Sequence, residues 1–287
     1  MPAPTIALIT DSTCDIPERL MRQYSITFAP QVLIWEKTQY RDRIDIDAAQ
    51  FYARLAAGGP APTSSQPLAP DFARLIEAAV QGGATEAAII TLSSQLSGTV
   101  ESARQAAEAA SIPVHVVDSK TGGMALGWQV LAAARARDAG GDATAMLEAA
   151  ARVRRTEQII FFVDTLAHLH RGGRIGGAAR LVGTALNLKP VLYVDHEIGR
   201  IEPGEKIRTR KRALDRVYEL FFERMDTRCA LHIAVIHSNA VELAESVEDR
   251  IRREHNPAEL FTTVISPVMG THIGPGAVGI TGYYESA

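Results

Sequence analysis

Hydroxyl side chains are concentrated at the strand-to-loop junctions predicted for the first half of the chain. They are Ser12 and Thr13 after Asp11, then Thr63, Ser64 and Ser65, then Ser93 and Ser94, then Ser97 and Thr99 with Gly98 between them, and Ser119 after Asp118. In open α/β sheets, ligands bind outside the carboxyl ends of the strands, where helix N-termini offer unpaired N–H groups to an anion. The ordinary role of any one such residue is to cap a helix. Ser93 and Ser94 are the stronger candidates for ligand contact because Ser97 could cap the following helix without them.

A histidine and two glycines precede the last predicted strand, in the segment His272–Gly276 that reads HIGPG. Gly274 and Gly276 flank a proline, which predicts a turn whose backbone can approach a ligand closely. At the edge of this turn, the His272 imidazole could donate a hydrogen bond to a carboxylate or phosphate, or act as a base. A surface turn with a solvated histidine explains the same residues equally well.

Basic residues occur in two further segments. Arg171 and Arg174 lie around the glycine pairs of LHRGGRIGG, which is typical either of an anion-binding loop or of a helix C-terminus. Lys206–Arg212 has five basic residues in seven, a run that usually marks a solvated face and that could also attract a phosphate or an acidic partner. Neither segment predicts nucleic-acid binding, because no recognition module accompanies them.

Several classes of site lack their sequence signals. There is no Walker motif, no GxGxxG after a strand and no GxSxG elbow. Ser94, His272 and an aspartate would form a nominal serine-hydrolase set, but no elbow supports it. The spacing of histidines and cysteines predicts no metal site. The sequence therefore predicts neither a catalytic residue, nor a metal, nor a cofactor.

The composition is that of an ordinary globular protein. The chain has 287 residues, 46% of them hydrophobic, and a formal net charge of -3. Two cysteines, Cys14 and Cys229, cannot form a disulfide framework and are typical of a reducing compartment. Without a signal-like N-terminus or an apolar run of membrane-spanning length, the expected location is the cytoplasm.

Apolar runs alternate with helical segments in the first half of the chain, which predicts a mostly parallel sheet flanked by helices. In the first of these units, Asp15 is expected to cap a helix. A hairpin is predicted from Val32–Trp35 and Gln39–Arg43, and Gly58–Pro70 is expected to be a loop between two helices.

The second half combines a hairpin signal around Asp195–Gly199 with further strand–helix alternation, which predicts a mixed sheet. We therefore expect an α/β protein of two domains. The N-terminal α/β domain would cover residues 1–150, and the C-terminal mixed-sheet domain residues 151–287.

Seven motifs together resemble the DegV family. They occur in the family's order over essentially the whole chain, as TDSTCDIP (Thr10–Pro17), TSSQP (Thr63–Pro67), SSQLSGT (Ser93–Thr99), VDSKTGG (Val117–Gly123), LHRGGRI (Leu169–Ile175), KIRTRKRAL (Lys206–Leu214) and HIGPGAVG (His272–Gly279). Each motif is modest by itself, and the ordered set is specific. Two departures from the family pattern are Leu68, which follows TSSQP in place of a serine, and His170, which replaces a basic residue.

The resemblance implies a fatty-acid-binding subunit of a bacterial fatty acid kinase, with the ligand site at the domain interface. A long-chain fatty acid would lie in an apolar tunnel, and its carboxylate would meet Ser64 or Ser65, Ser93 or Ser94, and His272. The loops around Thr63, Ser97–Thr99, Gly274 and Gly276 would support these contacts. Arg171, Arg174 and Arg208 would contact an ATP-dependent kinase subunit or a phosphate, with Arg208 foremost.

The implied partners are thus a fatty acid and a kinase, with transient membrane contact for lipid exchange. Two alternatives remain open. One is a stand-alone acyl- or phosphoryl-transfer enzyme that uses the hydroxyl-rich loops and His272. The other is a structural or regulatory binding module.

Overall fold

Three β-sheets and the helices around them form the described part of this computed structural model, which covers residues 5–182 and 188–285. The strands are β1 (Ile6–Asp11), β2 (Ile26–Ala29), β3 (Val32–Trp35), β4 (Thr38–Arg41), β5 (Thr63–Ser65), β6 (Glu86–Thr91), β7 (Val114–Asp118), β8 (Gln158–Phe162), β9 (Lys189–Asp195), β10 (Arg200–Ile207), β11 (Leu231–His237), β12 (Glu259–Val264) and β13 (Val278–Tyr284). The first sheet has the order β2-β1-β6-β7, the second β10-β9-β8-β13-β11-β12, and the third β4-β3-β5.

The helices connect and cover these strands. They are α1 (Glu18–Gln23), α2 (Ala48–Ala56), α3 (Ala69–Gln81), α4 (Thr99–Glu108), α5 (Met124–Asp138), α6 (Ala143–Thr156), α7 (Ala167–Arg171), α8 (Arg210–Glu223), α9 (Val241–Glu254) and α10 (Pro267–Ile273). Short 3-10 turns occupy Ser12–Cys14 and Gly176–Leu181.

The two large sheets share a layer of helices. Helix α5 contacts β1 and β6 of the first sheet and β13 of the second, and α6 contacts β6 and β13. Residues Met124–Leu131 of α5 are buried without exception, as expected for a helix with a sheet on both sides. One apolar core therefore runs from Leu8 in the first sheet through Trp128 to Ile236 in the second. Helices α3 and α4 cover the outer face of the first sheet, and α8 and α9 that of the second.

The predicted fold class is confirmed. All the described pairings in the first sheet are parallel, and the second sheet is mixed. The predicted hairpins are present as β3–β4 and β9–β10. The division near residue 150 stays a prediction, although α6 runs through that position.

Three local predictions were wrong. The sequence predicts a loop at Thr63–Ser65, but this segment pairs with β3 as a strand. Asp15 does not cap α1, whose N-cap is Pro17, and Ser97 does not cap α4, whose N-cap is Gly98. The predicted turn is present at Pro275–Gly276, and His272 lies at its edge, in the last turn of α10.

Among the described residues, no helix is both long and apolar enough to cross a bilayer.

Candidate functional site

A cavity of about 210 Å³ lies where the small third sheet, the serine-rich segment before α4, and helices α7 and α10 meet. Aliphatic side chains form much of its wall, together with hydroxyls, two amides, one imidazole and one guanidinium. The lining residues are Thr13, Gln31, Ser64, Ser65, Gln66, Leu92, Leu96, Ser97, Leu169, Arg174, Ile201, Val268, Met269, His272 and Ile273. An apolar wall with a few convergent polar groups is the usual construction of a small-molecule site.

Ser64 and His272 form the central polar pair of this cavity, with 2.7 Å between Ser64 Oγ and His272 Nε2. Ser64 is the middle residue of β5 and lies opposite Leu33 of β3. Its neighbours Thr63 and Ser65 are exposed, as strand alternation requires. His272 is in the last turn of α10, and Pro267 is the first residue of this helix. The third sheet and α10 thus bring together two residues that are far apart in sequence.

The His272 imidazole is held neutral. Burial, together with the nearby positive charge of Arg174, lowers its pKa to about 4. Its Nδ1 atom has no hydrogen-bond partner among the described residues and lies against the backbone of Gly172. At neutral pH the ring therefore carries no charge, and its Nε2 atom can either donate a hydrogen bond to Ser64 or accept one from it.

Arg174 contributes a positive charge to the cavity wall. The glycine pair Gly172–Gly173 ends α7, as one of the two sequence interpretations predicted. The Arg174 guanidinium donates to the carbonyl of Leu96 at 2.9 Å and to that of Gly172 at 2.7 Å. These bonds fix a cation beside His272.

The segment around Ser97 supports the cavity through close packing. Ser97 lines it, and its hydroxyl lies 2.9 Å from that of the buried Thr99. Gly98 has no room for a Cβ atom because the Gln66 amide lies against it. Gln66 donates from Nε2 to Ser102 Oγ at 3.0 Å, which ties β5 to helix α4.

Ser93 and Ser94 lie outside the cavity lining. The buried Ser93 hydroxyl donates to the carbonyl of Gly199 at 2.5 Å, in the turn between β9 and β10. Ser94 is exposed, and its hydroxyl accepts a bond from Lys120 Nζ at 3.3 Å. The structure therefore brings together Ser64, Ser65 and His272 of the predicted carboxylate ligands and leaves these two serines apart. Thr63, on the exposed side of β5, is also outside the lining.

The predicted glycines next to His272 shape the chain after α10. Gly274 has a φ of 79° and packs against the His168 ring. Gly276 has a φ of 85°, and its N–H donates to the carbonyl of Ser238 at 2.6 Å. Both backbones are in the left-handed region that favours glycine.

The other predicted basic residues are on the surface. Arg171 lies beside its neighbour His168, with 2.8 Å between Nη2 and Nδ1. Arg208 is exposed and forms no ion pair with any residue in the described ranges. Arg210 is paired with Asp164, which also accepts Lys189. Within the basic segment Lys206–Arg212, Arg208 is therefore available to contact a partner, whereas Arg210 is already paired.

Sequence reasoning missed the polar lining residue Gln31 and named Thr13 only among the hydroxyls after the first strand. Gln31 follows β2, and its Nε2 donates to Thr99 Oγ1 at 2.9 Å. Thr13, in the TDST segment, donates from its backbone and hydroxyl to Asp11. The hydroxyls around Asp11 gave a signal for Thr13, but nothing in the local pattern marks Gln31.

Within residues 5–182 and 188–285, no cluster of three or more histidine, cysteine or acidic side chains could hold a metal ion.

The fold and the cavity define an α/β protein with a partly enclosed cavity lined by aliphatic and polar side chains. The model of the DegV family, described as uncharacterised proteins, matches residues 5–285. Protein DegV of Bacillus subtilis is 35% identical over 278 residues, which cover 96% of this chain and 98% of that protein. The chain belongs to the DegV family.

Solved structures of other members have the same fold. One is a DegV family protein from Thermus thermophilus, described for its fatty acid binding, with a TM-score of 0.91 and 32% identity over 98% of this chain and 99% of that chain. Another is DegV from Bacillus subtilis, described as a fatty acid binding protein, with a TM-score of 0.90 and 33% identity over 99% of this chain and 100% of that chain.

Proposed function

We propose that this protein binds one long-chain fatty acid, with the carboxylate at the Ser64–His272 pair and the acyl chain among the aliphatic residues of the same cavity. The observation that carries this proposal is the combination, in one cavity, of a half-buried hydroxyl–imidazole pair, a fixed guanidinium and an aliphatic wall. The fatty acid binding described for two family members at 32% and 33% identity supports it.

A carboxylate taken out of water needs donors, because an unpaired buried charge is costly. The hydroxyls of Ser64 and Ser97 can each donate one bond. If the neutral His272 ring carries its proton on Nε2, it donates to Ser64 Oγ and leaves the serine hydrogen for the ligand. Arg174 supplies the opposite charge, and its anchoring to two carbonyls limits the entropy lost on binding.

The acyl chain would contribute most of the affinity. Each buried CH₂ group is worth ~0.8 kcal/mol, so a long chain outweighs a single carboxylate contact. Leu96, Leu169, Ile201, Met269 and Ile273 line the cavity and form its apolar wall. The proposed ligand therefore needs both a carboxylate and a flexible hydrocarbon chain.

We further propose that the protein presents the bound carboxylate to a separate ATP-dependent kinase, which forms the acyl phosphate, and that it exchanges ligand by transient membrane contact. The exposed Arg208 and Arg171 are suited to meet the acidic or phosphate-bearing surface of such a partner.

A stand-alone transfer enzyme is less well supported. Ser64 and His272 could act as nucleophile and base, since their distance suits proton transfer. In that arrangement a third group orients the base, but His272 Nδ1 has no partner in the described part of the chain.

Lipid extraction and native mass spectrometry of protein purified from bacteria test the binding proposal. The expected result is one fatty acid per chain, with rebinding of oleic acid after delipidation and much weaker binding of methyl oleate. Absence of both co-purified lipid and rebinding would refute it.

A second experiment tests whether the protein needs a separate kinase. Fatty-acid-loaded protein incubated with Mg-ATP but without a kinase should give no acyl phosphate that hydroxylamine can trap. If the protein alone forms that product, a separate kinase is unnecessary; if it hydrolyses an ester of the same acid, the transfer enzyme is favoured.

A further inference from the structure

Three carboxyl groups are buried behind the cavity wall, and the binding mode proposed above uses none of them. Asp11 and Asp15 begin and end the DSTCD part of the first family motif, and Asp42 follows β4. Their exposed fractions are 0%, 4% and 0%. Buried carboxyl groups are expensive unless they are well hydrogen-bonded, so their partners indicate what they do.

Asp11 is bonded to two segments of the cavity wall. Its Oδ2 accepts the backbone N–H of Leu92 at 2.8 Å, where the serine-rich segment begins. Its Oδ1 accepts the hydroxyl of Thr13 at 2.6 Å, and Thr13 lines the cavity. Asp11 thereby holds β1 to the start of that segment.

Asp15 and Asp42 are bonded to the start of α10. Asp15 Oδ1 accepts the N–H of Ser266 at 3.0 Å, and Asp42 Oδ1 accepts the N–H of Val268 at 3.2 Å. Ser266 is the N-cap of α10 but makes no side-chain capping bond. The first turn of this helix is therefore capped by two carboxyl groups that are 251 and 226 residues away in sequence.

The same two residues are joined to the rest of the site. Asp42 Oδ2 accepts the hydroxyl of Ser12 at 2.6 Å, and Ser12 Oγ accepts the N–H of Gln31 at 3.0 Å. The backbone carbonyl of Asp15 accepts Thr263 Oγ1 at 2.9 Å, at the end of β12. Helix α10 is thus held at its first turn by the N-terminal half of the chain.

We infer that Asp15 and Asp42 are positioning residues that fix helix α10, and with it His272, against Ser64. Four residues of this seven-residue helix line the cavity, namely Val268, Met269, His272 and Ile273. A helix of two turns has little stability of its own, so its orientation depends on what fixes its ends. The inference rests on the proposed function because it assigns these acids a role in fatty acid binding.

Alanine and asparagine variants at both positions separate this role from a general contribution to folding. Asparagine keeps an acceptor oxygen for the α10 N–H groups, whereas alanine removes it. Asp142→Ala is the matched control, because Asp142 caps α6 by accepting the N–H of Ala145 at 2.9 Å and does not line the cavity. The readouts are oleic acid affinity, hydrogen–deuterium exchange of the α10 amides without ligand, and the NMR-measured pKa of the His272 ring.

We expect Asp15→Ala and Asp42→Ala to bind oleic acid about tenfold more weakly, to exchange the amides of residues 268–273 faster and to shift the His272 pKa from about 4 towards its ordinary value of 6.5. The asparagine variants should retain the wild-type affinity and exchange, and Asp142→Ala should change none of the three readouts.

Unchanged α10 exchange and an unchanged His272 pKa in folded alanine variants would overturn the inference, and so would an equal loss in the asparagine variants. These two readouts need no ligand. If wild-type protein binds no fatty acid, the proposed function fails, whereas the α10 measurements still decide whether the carboxyl groups position His272.

Discussion

Ser64 Oγ and His272 Nε2 lie 2.7 Å apart although 208 residues separate them in the sequence. One comes from a three-residue strand and the other from the end of a seven-residue helix, and neither element is stable alone. Their distance is therefore a property of the tertiary structure. It follows that the polar pair can be weakened either directly or through the elements that hold it.

The first prediction concerns the pair itself. Ser64→Ala should weaken oleic acid binding by about 1.5–3 kcal/mol, the usual cost of losing a hydrogen bond to a charged group. His272→Ala should weaken it by a similar amount, and the double variant should lose much less than the sum, because the two residues act as one unit. Isothermal titration calorimetry of the four proteins measures this coupling.

Ser94→Ala is the control for this double-mutant cycle of Ser64 and His272. Ser94 is exposed and lies outside the cavity, so its replacement should leave the affinity unchanged. Strictly additive losses for Ser64 and His272, or an equal loss in Ser94→Ala, would contradict a joint role for the pair.

The second prediction concerns Gly172, which packs against the edge of the His272 ring at the unpartnered Nδ1 atom. A Cβ atom there would overlap His272 Nδ1, so Gly172→Ala must move the ring or the end of α7. Its φ of -76° suits alanine, and the effect should therefore appear in binding rather than as backbone strain. We expect about tenfold weaker oleic acid binding, with Tm lowered by no more than a few degrees.

Gly82→Ala is the corresponding control at the end of α3. Gly82 has a φ of -78° and lies away from the cavity, and its new Cβ would come 3.3 Å from the Ala79 carbonyl. Wild-type affinity in Gly172→Ala would show that His272 can move without consequence for the ligand.

Arg174 provides a third prediction, which tests recognition of charge. Arg174→Met should reduce the affinity for oleic acid by about tenfold to a hundredfold, while the affinity for oleyl alcohol stays within about twofold, because only the acid carries a charge. Competition binding with the two ligands measures the ratio. The surface variant Arg171→Met should keep the wild-type ratio of oleic acid affinity to oleyl alcohol affinity, since Arg171 contacts His168 and not the cavity. A parallel loss for acid and alcohol would assign Arg174 a packing role only.

Much of the fold could be predicted because several strands of the two large sheets, such as β1, β6 and β11, are apolar runs separated by helical segments. The burial of α5 between the sheets could not, because the position of a helix between two layers depends on long-range packing. The third sheet was missed at β5, where Thr63–Ser65 carries polar residues in a segment rich in glycine and proline. That strand forms by pairing with β3, a contact that no local pattern contains.

The candidate site was predicted in part for similar reasons. The motifs named Ser64, Ser65 and His272, but residue type alone did not reveal that the hydroxyl of Ser93 is bonded to Gly199. No sequence signal predicts that Gln31 lines the cavity, because its position is set by hydrogen bonds to the distant residues Ser12 and Thr99. Local sequence identified hydroxyl-rich segments, and tertiary contacts decided which hydroxyls face the cavity.

The last prediction is a pH dependence of stability. Burial raises the pKa of Asp15 and of Asp42 to about 7, while the nearby Arg43 charge opposes the rise. Between about pH 4 and pH 7, the folded protein keeps protons that the unfolded chain has released. These groups therefore favour folding most below about pH 4, and the contribution is lost as the pH rises through 7. His272 acts in the opposite sense: its pKa is lowered to about 4, so folding is disfavoured as the pH falls below 6.5.

Urea denaturation between pH 5 and pH 7 separates these contributions. Asp15→Asn and Asp42→Asn should each reduce the loss of unfolding free energy as the pH rises, because asparagine does not titrate. Asp45→Asn is the control: the Arg41 side chain lowers the pKa of Asp45 to about 2, so this carboxyl group is ionised in both states over that range. Its slope should match that of the wild type. If the unfolding free energy of Asp15→Asn and Asp42→Asn also changes with pH as in the wild type, the prediction is wrong. The two buried carboxyl groups are then already ionised in the folded protein at pH 5.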